Sequence, residues 1–279
     1  MASAEPTRIE DPDDPRLADY RALTDPALRK RYEAERGVFI VESPLAVEAL
    51  AASPHAPATR SLLVGERRAE RMAPVAAALA AHGAAVYTAP AAVLEATAGF
   101  ALHRGVVAAV SRPEPVAPAE LLAGAGTVLA LEGINDHENL GVLFRNAAAF
   151  GVDAVLLDPT CADPWYRRCV RVSMGHVLGV PHTRATAWPD EVAGLAATGW
   201  RVLALTPGAV TLVHRAPPLG PRQRAAVLVG AEGPGLAAAT LAAPGIEPVR
   251  IAMAAGVDSL NVATAAAVAL SHLRGPLLD

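Results

Sequence analysis

The sequence predicts an α/β protein of two units, the second a doubly wound parallel sheet with helices on both faces. The chain of 279 residues is long enough for two ordinary domains. From Thr127 onward, apolar runs of strand length alternate strictly with helix-length segments, the pattern of successive βαβ units. Between the halves, Arg112-Pro-Glu-Pro-Val-Ala-Pro118 holds three prolines in seven residues and reads as a stiff, extended linker.

Residues 1–15, with Pro6, Pro12 and Pro15 among acids, are expected to be a flexible leader. Pro26–Arg36 reads as a charged helix ending at Gly37, and Val38–Val41 as a short buried strand. Pro44–Ala52 reads as a helix, because proline is tolerated in a first turn. Ser61–Val64, Ala85–Thr88 and Val106–Val110 are further strand-length apolar runs, with helices expected at Arg67–His82 and Pro90–Thr97. The first domain is thus a small α/β module over residues 16–112, followed by a linker over 113–119 and a second domain over 120–279.

In the second domain, strands are expected at Thr127–Leu131, Ala154–Asp158, Arg201–Thr206, Ala226–Gly230 and Val249–Ala252. Helices are expected at Leu140–Phe150, Arg167–Val177, Pro189–Thr198, Leu236–Ala242 and Leu260–Leu273. In such sheets ligands bind at the carboxyl ends of the strands, so the loops there are where chemistry is to be sought.

Composition narrows the function. The apolar share is 52%, but it includes 63 alanines and only 4% aromatics, so it speaks of close helix packing more than of chemistry. The cations are 23 arginines and Lys30 against 28 acids, a net charge of −4. There are 13 basic and 15 acidic residues before residue 115, and 11 and 13 from there on, so each half stands at −2. That balance excludes a generic polyanion binder; any contact with nucleic acid must come from a few placed arginines. No apolar run approaches the ~20 residues of a membrane helix. The acidic N-terminus lacks an apolar signal core, and Cys161 and Cys169 form neither a CxxC nor a zinc pattern. A cytoplasmic, metal-free protein is expected. Cys161 has no His or Asn partner in a recognisable nucleophile arrangement.

Three loops carry information. Glu132-Gly-Ile-Asn-Asp-His-Glu-Asn139 leads into a helix, and Asn135 with Glu138 has the spacing of a capping box. Within that helix Gly141 and Arg145 are four apart on one face, pairing a guanidinium with room for a close-approaching ligand. The second loop, Gly230-Ala-Glu-Gly-Pro-Gly-Leu236, allows close backbone approach but fits neither a Walker A loop nor GxGxxG. The third, Met253 to Asn261, precedes an alanine-rich helix that Ser259 or Asp258 can cap. The helix face with Ala263, Ala266, Ala267 and Leu270 is smooth enough for close packing.

Taken in order, these loops resemble the SpoU/TrmH family of RNA ribose 2′-O-methyltransferases. The family's Asn-x-Gly with Arg four residues on and Ala two beyond is matched by Asn139, Gly141, Arg145 and Ala147. Its Gly-x-Glu-Gly-x-Gly loop is matched by Gly230, Glu232, Gly233 and Gly235. Its Ile-x-Met followed by Ser-Leu-Asn-Val is matched by Ile251, Met253, Ser259, Leu260, Asn261 and Val262, with Ala252 where the family usually has Pro. The first half is similar to the family's substrate-binding domain, a ribosomal-protein-like α/β module, through Phe39–Glu42, Leu45–Leu50 and His103–Ala108, with Ser43 where Gly is common.

The resemblance implies a trefoil-knotted C-terminal domain, a homodimer formed through it, and S-adenosylmethionine as cofactor. The implied reaction is methyl transfer to a ribose 2′-hydroxyl of RNA, with 23S ribosomal RNA the expected substrate. A transfer-RNA methyltransferase is one alternative, and a ribosome-binding module without catalysis is another. Both ribosome maturation and self-protection against a ribosome-directed antibiotic are compatible with it. Arg145, Asn139 and Ser259 are the implied catalytic residues. Because a guanidinium keeps its proton at neutral pH, Arg145 is read as a fork for phosphate and developing oxyanion. Cofactor contacts are implied at Leu205, Thr206, Gly230, Glu232, Gly233, Ile251, Met253, Leu260 and Asn261. The candidate RNA patch is Arg29, Lys30, Arg31 and Arg36 with Arg67, Arg68 and Arg71.

Overall fold

The computed structural model describes residues 5–21, 23, 33, 35–100, 105–220 and 222–274. The chain divides into two compact units. One comprises Met1–Glu114 with Trp165–Gly179, the other Pro115–Pro164 with Val180–Asp279.

The first unit carries β1 (Thr7–Arg8), β2 (Val38–Glu42), α1 (Pro44–Ala51), β3 (Thr59–Gly65), α2 (Ala69–Ala81), β4 (Ala85–Ala89), α3 (Ala91–Ala98) and β5 (Val106–Ser111). Its five-stranded sheet has the order β1-β4-β3-β5-β2. β5 runs antiparallel to β2 and β3, and the other pairs are parallel. Val38–Val41 and Val106–Val110 are completely buried, as continuous apolar runs should be in strands covered on both faces.

The leader expectation fails from Thr7 onward. Thr7 and Arg8 add in parallel to β4, and the Ile9 amide donates to the Thr88 carbonyl at 2.8 Å. Pro15–Tyr20 is a 3-10 turn capped by Asp14 that buries Leu17 and Tyr20. Those three apolar side chains find partners far along the chain, so the prolines and acids around them punctuate an ordered segment. The helix expected over 26–36 lies outside the described residues except at 33, 35 and 36.

The second unit and the segment inserted in it follow in order. They are α4 (Pro118–Ala123), β6 (Thr127–Glu132), α5 (His137–Ala149), β7 (Ala154–Leu157), α6 (Arg167–Val172), β8 (His182–Arg184) and α7 (Asp190–Ala197). Then come β9 (Arg201–Leu205), β10 (Thr211–Leu212), β11 (Ala225–Gly230), α8 (Ala238–Leu241), β12 (Ile246–Arg250) and α9 (Val262–Arg274). All seven strands are parallel, in the order β10-β12-β9-β11-β6-β7-β8. Val128, Ala130, Leu156, Val202, Ala204, Ala226 and Leu228 project from the sheet into a core closed by Val192, Leu195 and Trp200. β8 and β10 were not expected: strands of two or three residues have no periodicity to read.

The helix expected over Arg167–Val177 stops at Val172. Met174 has φ 55° and Gly175 φ 86°, which a right-handed helix cannot contain, and a 3-10 turn over His176–Leu178 follows. This segment belongs by its contacts to the first unit. A Cβ on Gly175 would lie 2.6 Å from the Ala49 Cβ, so only glycine lets it approach α1. The Trp165 ring packs on Phe39 with centroids 4.7 Å apart. Glu42, buried at the end of β2, takes Arg167 at 2.6 Å and Arg171 at 3.8 Å.

Candidate functional site

The carboxyl ends of β9, β11 and β12 open into one cavity of about 650 Å³. Its walls are Leu205–Pro207 after β9, Val229–Leu236 from the end of β11, Arg250, Ile251 and Met253 after β12, and Asp258–Val262 with Ala265 at the start of α9. The position is the one expected for ligands in open parallel sheets.

The Gly230–Leu236 loop is shaped by its glycines. A Cβ on Gly230 would meet the Gly235 carbonyl carbon at 2.3 Å and the Leu236 nitrogen at 2.4 Å, so the two ends of the loop touch through the missing side chain. Gly233 and Gly235 have φ of 90° and 69°, a region that side chains with a Cβ enter only at a cost. The Gly235 amide closes the loop onto the Ala231 carbonyl at 3.0 Å.

The three informative loops converge on Asn261. Its Nδ2 donates to Asn139 Oδ1 and to Glu232 Oε1, both at 2.7 Å. Its Oδ1 accepts the amides of Ala263 at 3.0 Å and Thr264 at 3.3 Å, so Asn261, rather than Ser259 or Asp258, caps α9. Both amide protons and the carbonyl oxygen of this side chain are committed within the protein. α5 is likewise capped by Asp136, whose carboxylate accepts from Glu138 and Asn139 at 2.7 and 2.8 Å; Asn135 plays no such part. A carboxylate two or three residues ahead of free amides outcompetes the neutral amide of Asn135.

All nine residues assigned to the cofactor from sequence line the cavity, and so does Ser259. Asn139 reaches it through Asn261. Arg145 is not in the cavity wall. It lies six residues beyond Asn139, about 9 Å along the axis of α5 and on a different face. It is exposed, and Gly141, expected to give a ligand room beside it, is buried. Sequence reasoning missed Pro207, Arg250 and Asp258, which also line the cavity. Arg250 was legible only as a surface charge and Asp258 only as a candidate helix cap; neither is a position of the matched motifs.

Cys161 is buried, accepting the Ile134 amide at 3.3 Å and facing the Leu131 carbonyl at 3.4 Å. Burial, reinforced by the Asp158 charge, pushes its thiol up to about 12, so it is no nucleophile at neutral pH. No group of three or more His, Cys, Asp or Glu that could hold a metal occurs among the described residues. None of the described helices is long and apolar enough to cross a membrane.

Of the expected RNA patch, the described arginines fall in two groups on the first unit. Arg29, Lys30 and Arg31 lie outside the described residues. The Arg36 carbonyl accepts from Arg60 near the start of β3, whereas Arg67 and Arg68 follow its end, about 20 Å further along the strand. Arg71 sits in the first turn of α2, 3.9 Å from Glu48. Sequence proximity could not reveal that a strand separates the two groups.

Residues 126–271 match the SpoU rRNA methylase family, and residues 45–116 match the RNA 2′-O ribose methyltransferase substrate-binding domain. An uncharacterized tRNA/rRNA methyltransferase of Mycobacterium tuberculosis is 49% identical over 261 residues, covering 93% of this chain and 88% of its own. The 23S rRNA (guanosine(2553)-2′-O)-methyltransferase of Bacillus subtilis is 34% identical over 160 residues, covering 57% of this chain and 62% of its own. The AdoMet-bound rRNA methyltransferase of Sinorhizobium meliloti superposes with a TM-score of 0.77 at 27% identity, covering 98% of this chain and 99% of that one.

Proposed function

The chain belongs to the SpoU rRNA methylase family and is an S-adenosylmethionine-dependent RNA 2′-O-ribose methyltransferase, and from this premise we propose that its substrate is ribosomal RNA, 23S RNA in particular. The observation that carries the proposal is the likeness to the Sinorhizobium rRNA methyltransferase over nearly the whole chain, substrate-binding half included. The 23S enzyme of Bacillus supports it over the catalytic half.

The cavity suits the cofactor. Its volume is ordinary for a cofactor site, and Leu205, Val229, Met253 and Leu260 offer apolar surface for an adenine. Glu232 and Asp258 supply negative charge for a sulfonium and an ammonium, and Arg250 the opposite charge for a carboxylate. Gly233 and Gly235 add no side chain to the cavity wall, so the loop's backbone is open to direct contact with a ligand there. When bound, S-adenosylmethionine supplies an electrophilic methyl group on sulfur. In this reading the loop before α9, at the trefoil crossing where α9 packs on α5 and β11, would help hold the cofactor.

The chain's own residues then do three things. Asn139, aligned by Asn261, and Ser259 orient the ribose so that its 2′-oxygen faces the methyl carbon in line. The closed glycine loop keeps water from the cofactor. Arg145, free to extend from the exposed face of α5, grips the neighbouring phosphate and steadies charge on the attacking oxygen. The homodimer belongs to the same proposal: Val142 on α5 and Val268 on α9 are exposed apolar residues on helices that pack together, a surface suited to a second copy. Incubation with methyl-labelled cofactor and separate pools of ribosomal and transfer RNA tests the substrate. Label in 23S RNA is expected; label only in transfer RNA overturns the assignment.

A further inference from the structure

We propose that Glu132 is a positioning residue that tunes cofactor affinity from behind the cavity wall, by locking the far end of the Gly230–Leu236 loop. The inference rests on the cavity being the cofactor site. Glu132 is the last residue of β6, 8% exposed, and does not line the cavity. Its position in the ladder pairs it with Gly230, the residue from which the loop departs. Its side chain then receives the far end: Oε1 accepts the Ala237 amide at 2.6 Å, and Oε2 accepts the Thr240 hydroxyl at 2.5 Å. A third donor, Trp188 Nε1, reaches Oε2 at 2.7 Å.

One residue therefore fixes both feet of the loop, the first through the backbone ladder and the second through a buried carboxylate. Besides these feet, the loop is held by Asn261, which bonds Glu232, and by Leu236, buried in the core. Three of its seven residues are glycines, Gly233 and Gly235 are in the left-handed region, and its internal bonding is the Ala231–Gly235 bridge. A glycine-rich loop freed at one foot samples many conformations, and a ligand that needs one of them then bears the cost of selecting it.

The carboxylate is specific to this task. Only a group with acceptors and no donor can face an amide, a hydroxyl and an indole N–H at once. In Glu132→Gln, the carbonyl can keep Ala237 and the hydroxyl can turn to accept, but the new NH₂ then opposes the Trp188 N–H. The expected result is a roughly tenfold weaker dissociation constant for S-adenosylmethionine by titration calorimetry. KM for the cofactor should rise by a similar factor, with kcat at saturating cofactor within about twofold of the parent. Trp188→Phe removes the opposing donor, so the double variant Glu132→Gln/Trp188→Phe should recover most of the affinity. A merely structural role would lower the melting temperature with no such rescue of cofactor binding. Unchanged affinity in Glu132→Gln, or an equal loss in the double variant, overturns the proposal. Gly230→Ala separates this from failure of the underlying reading: if it lowers the melting temperature yet leaves cofactor affinity intact, the cavity is not the cofactor site.

Discussion

Gly230→Ala is the sharpest probe of the cavity wall. The added methyl would sit 2.3 Å from the Gly235 carbonyl carbon, 2.4 Å from the Leu236 nitrogen and 2.5 Å from the Gly235 oxygen. Ordinary contact for a Cβ begins near 3.4 Å, so residues 235 and 236 must retreat by about 1 Å. All three atoms are backbone, and no side-chain rotation relieves them. Overpacking of this kind costs about 3 kcal/mol, the upper end of its usual range. If the displacement falls on the loop, that energy corresponds to roughly a hundredfold weaker cofactor binding. Gly233→Ala provides the contrast. No atom lies within 4 Å of its added Cβ, and the cost is only that of φ +90° in a residue with a side chain, about 1 kcal/mol and near fivefold. Titration calorimetry with S-adenosylmethionine, alongside thermal denaturation, reads both variants. Gly230→Ala binding like the parent at an unchanged melting temperature, or Gly233→Ala proving the worse of the two, would refute the steric reasoning.

Arg145 stands outside the cavity wall, so Arg145→Ala should keep the parent's cofactor affinity within about twofold while methyl transfer to RNA falls by at least about a hundredfold; calorimetry and a labelled-methyl assay together check it, and full activity removes Arg145 from the mechanism. Arg167→Ala strips the short ion pair from a Glu42 side chain that is only 7% exposed, leaving Arg171 at 3.8 Å. Denaturant unfolding of the first unit should lose about 3 kcal/mol, and Glu42→Gln in the same chain should restore a large part of it, because the unpaired buried charge is what costs.

The strictly alternating pattern after Thr127 was readable because parallel strands buried on both faces are continuous apolar runs, and Val128–Leu131 or Ala226–Val229 fit no other element so well. The cavity residues were readable for a different reason. They are glycines and motif positions whose types are demanded by backbone approach, so resemblance carries them even where periodicity is silent. What escaped was non-local. β1, β8 and β10 exist through their neighbours, and Ile9 looks like any apolar residue in an acidic tail until β4 lies beside it. Caps went astray by one to three residues at Asp136 and Asn261, since Asp, Asn and Ser all suit such positions and only geometry selects among them. Glu132 was noted only as the start of a loop. Its three donors lie 56 to 108 residues away, beyond the reach of any local pattern.

The Trp165–Gly179 segment changes what counts as a module in this chain. The backbone passes between the two units three times, after Glu114 in the proline run, after Pro164 and after Gly179. A recombination event that exchanged residues 1–114 alone would strip Phe39 of its tryptophan and Glu42 of both arginines. The incoming module would have to accept the resident α6, or bring its own through two further breakpoints. Exchange of RNA-binding modules among relatives with this insertion is therefore constrained at Trp165, Arg167 and Gly175, residues that belong by position to the methyltransferase half. A module cut from this chain at the proline run alone would leave behind fifteen residues that belong to it by contact.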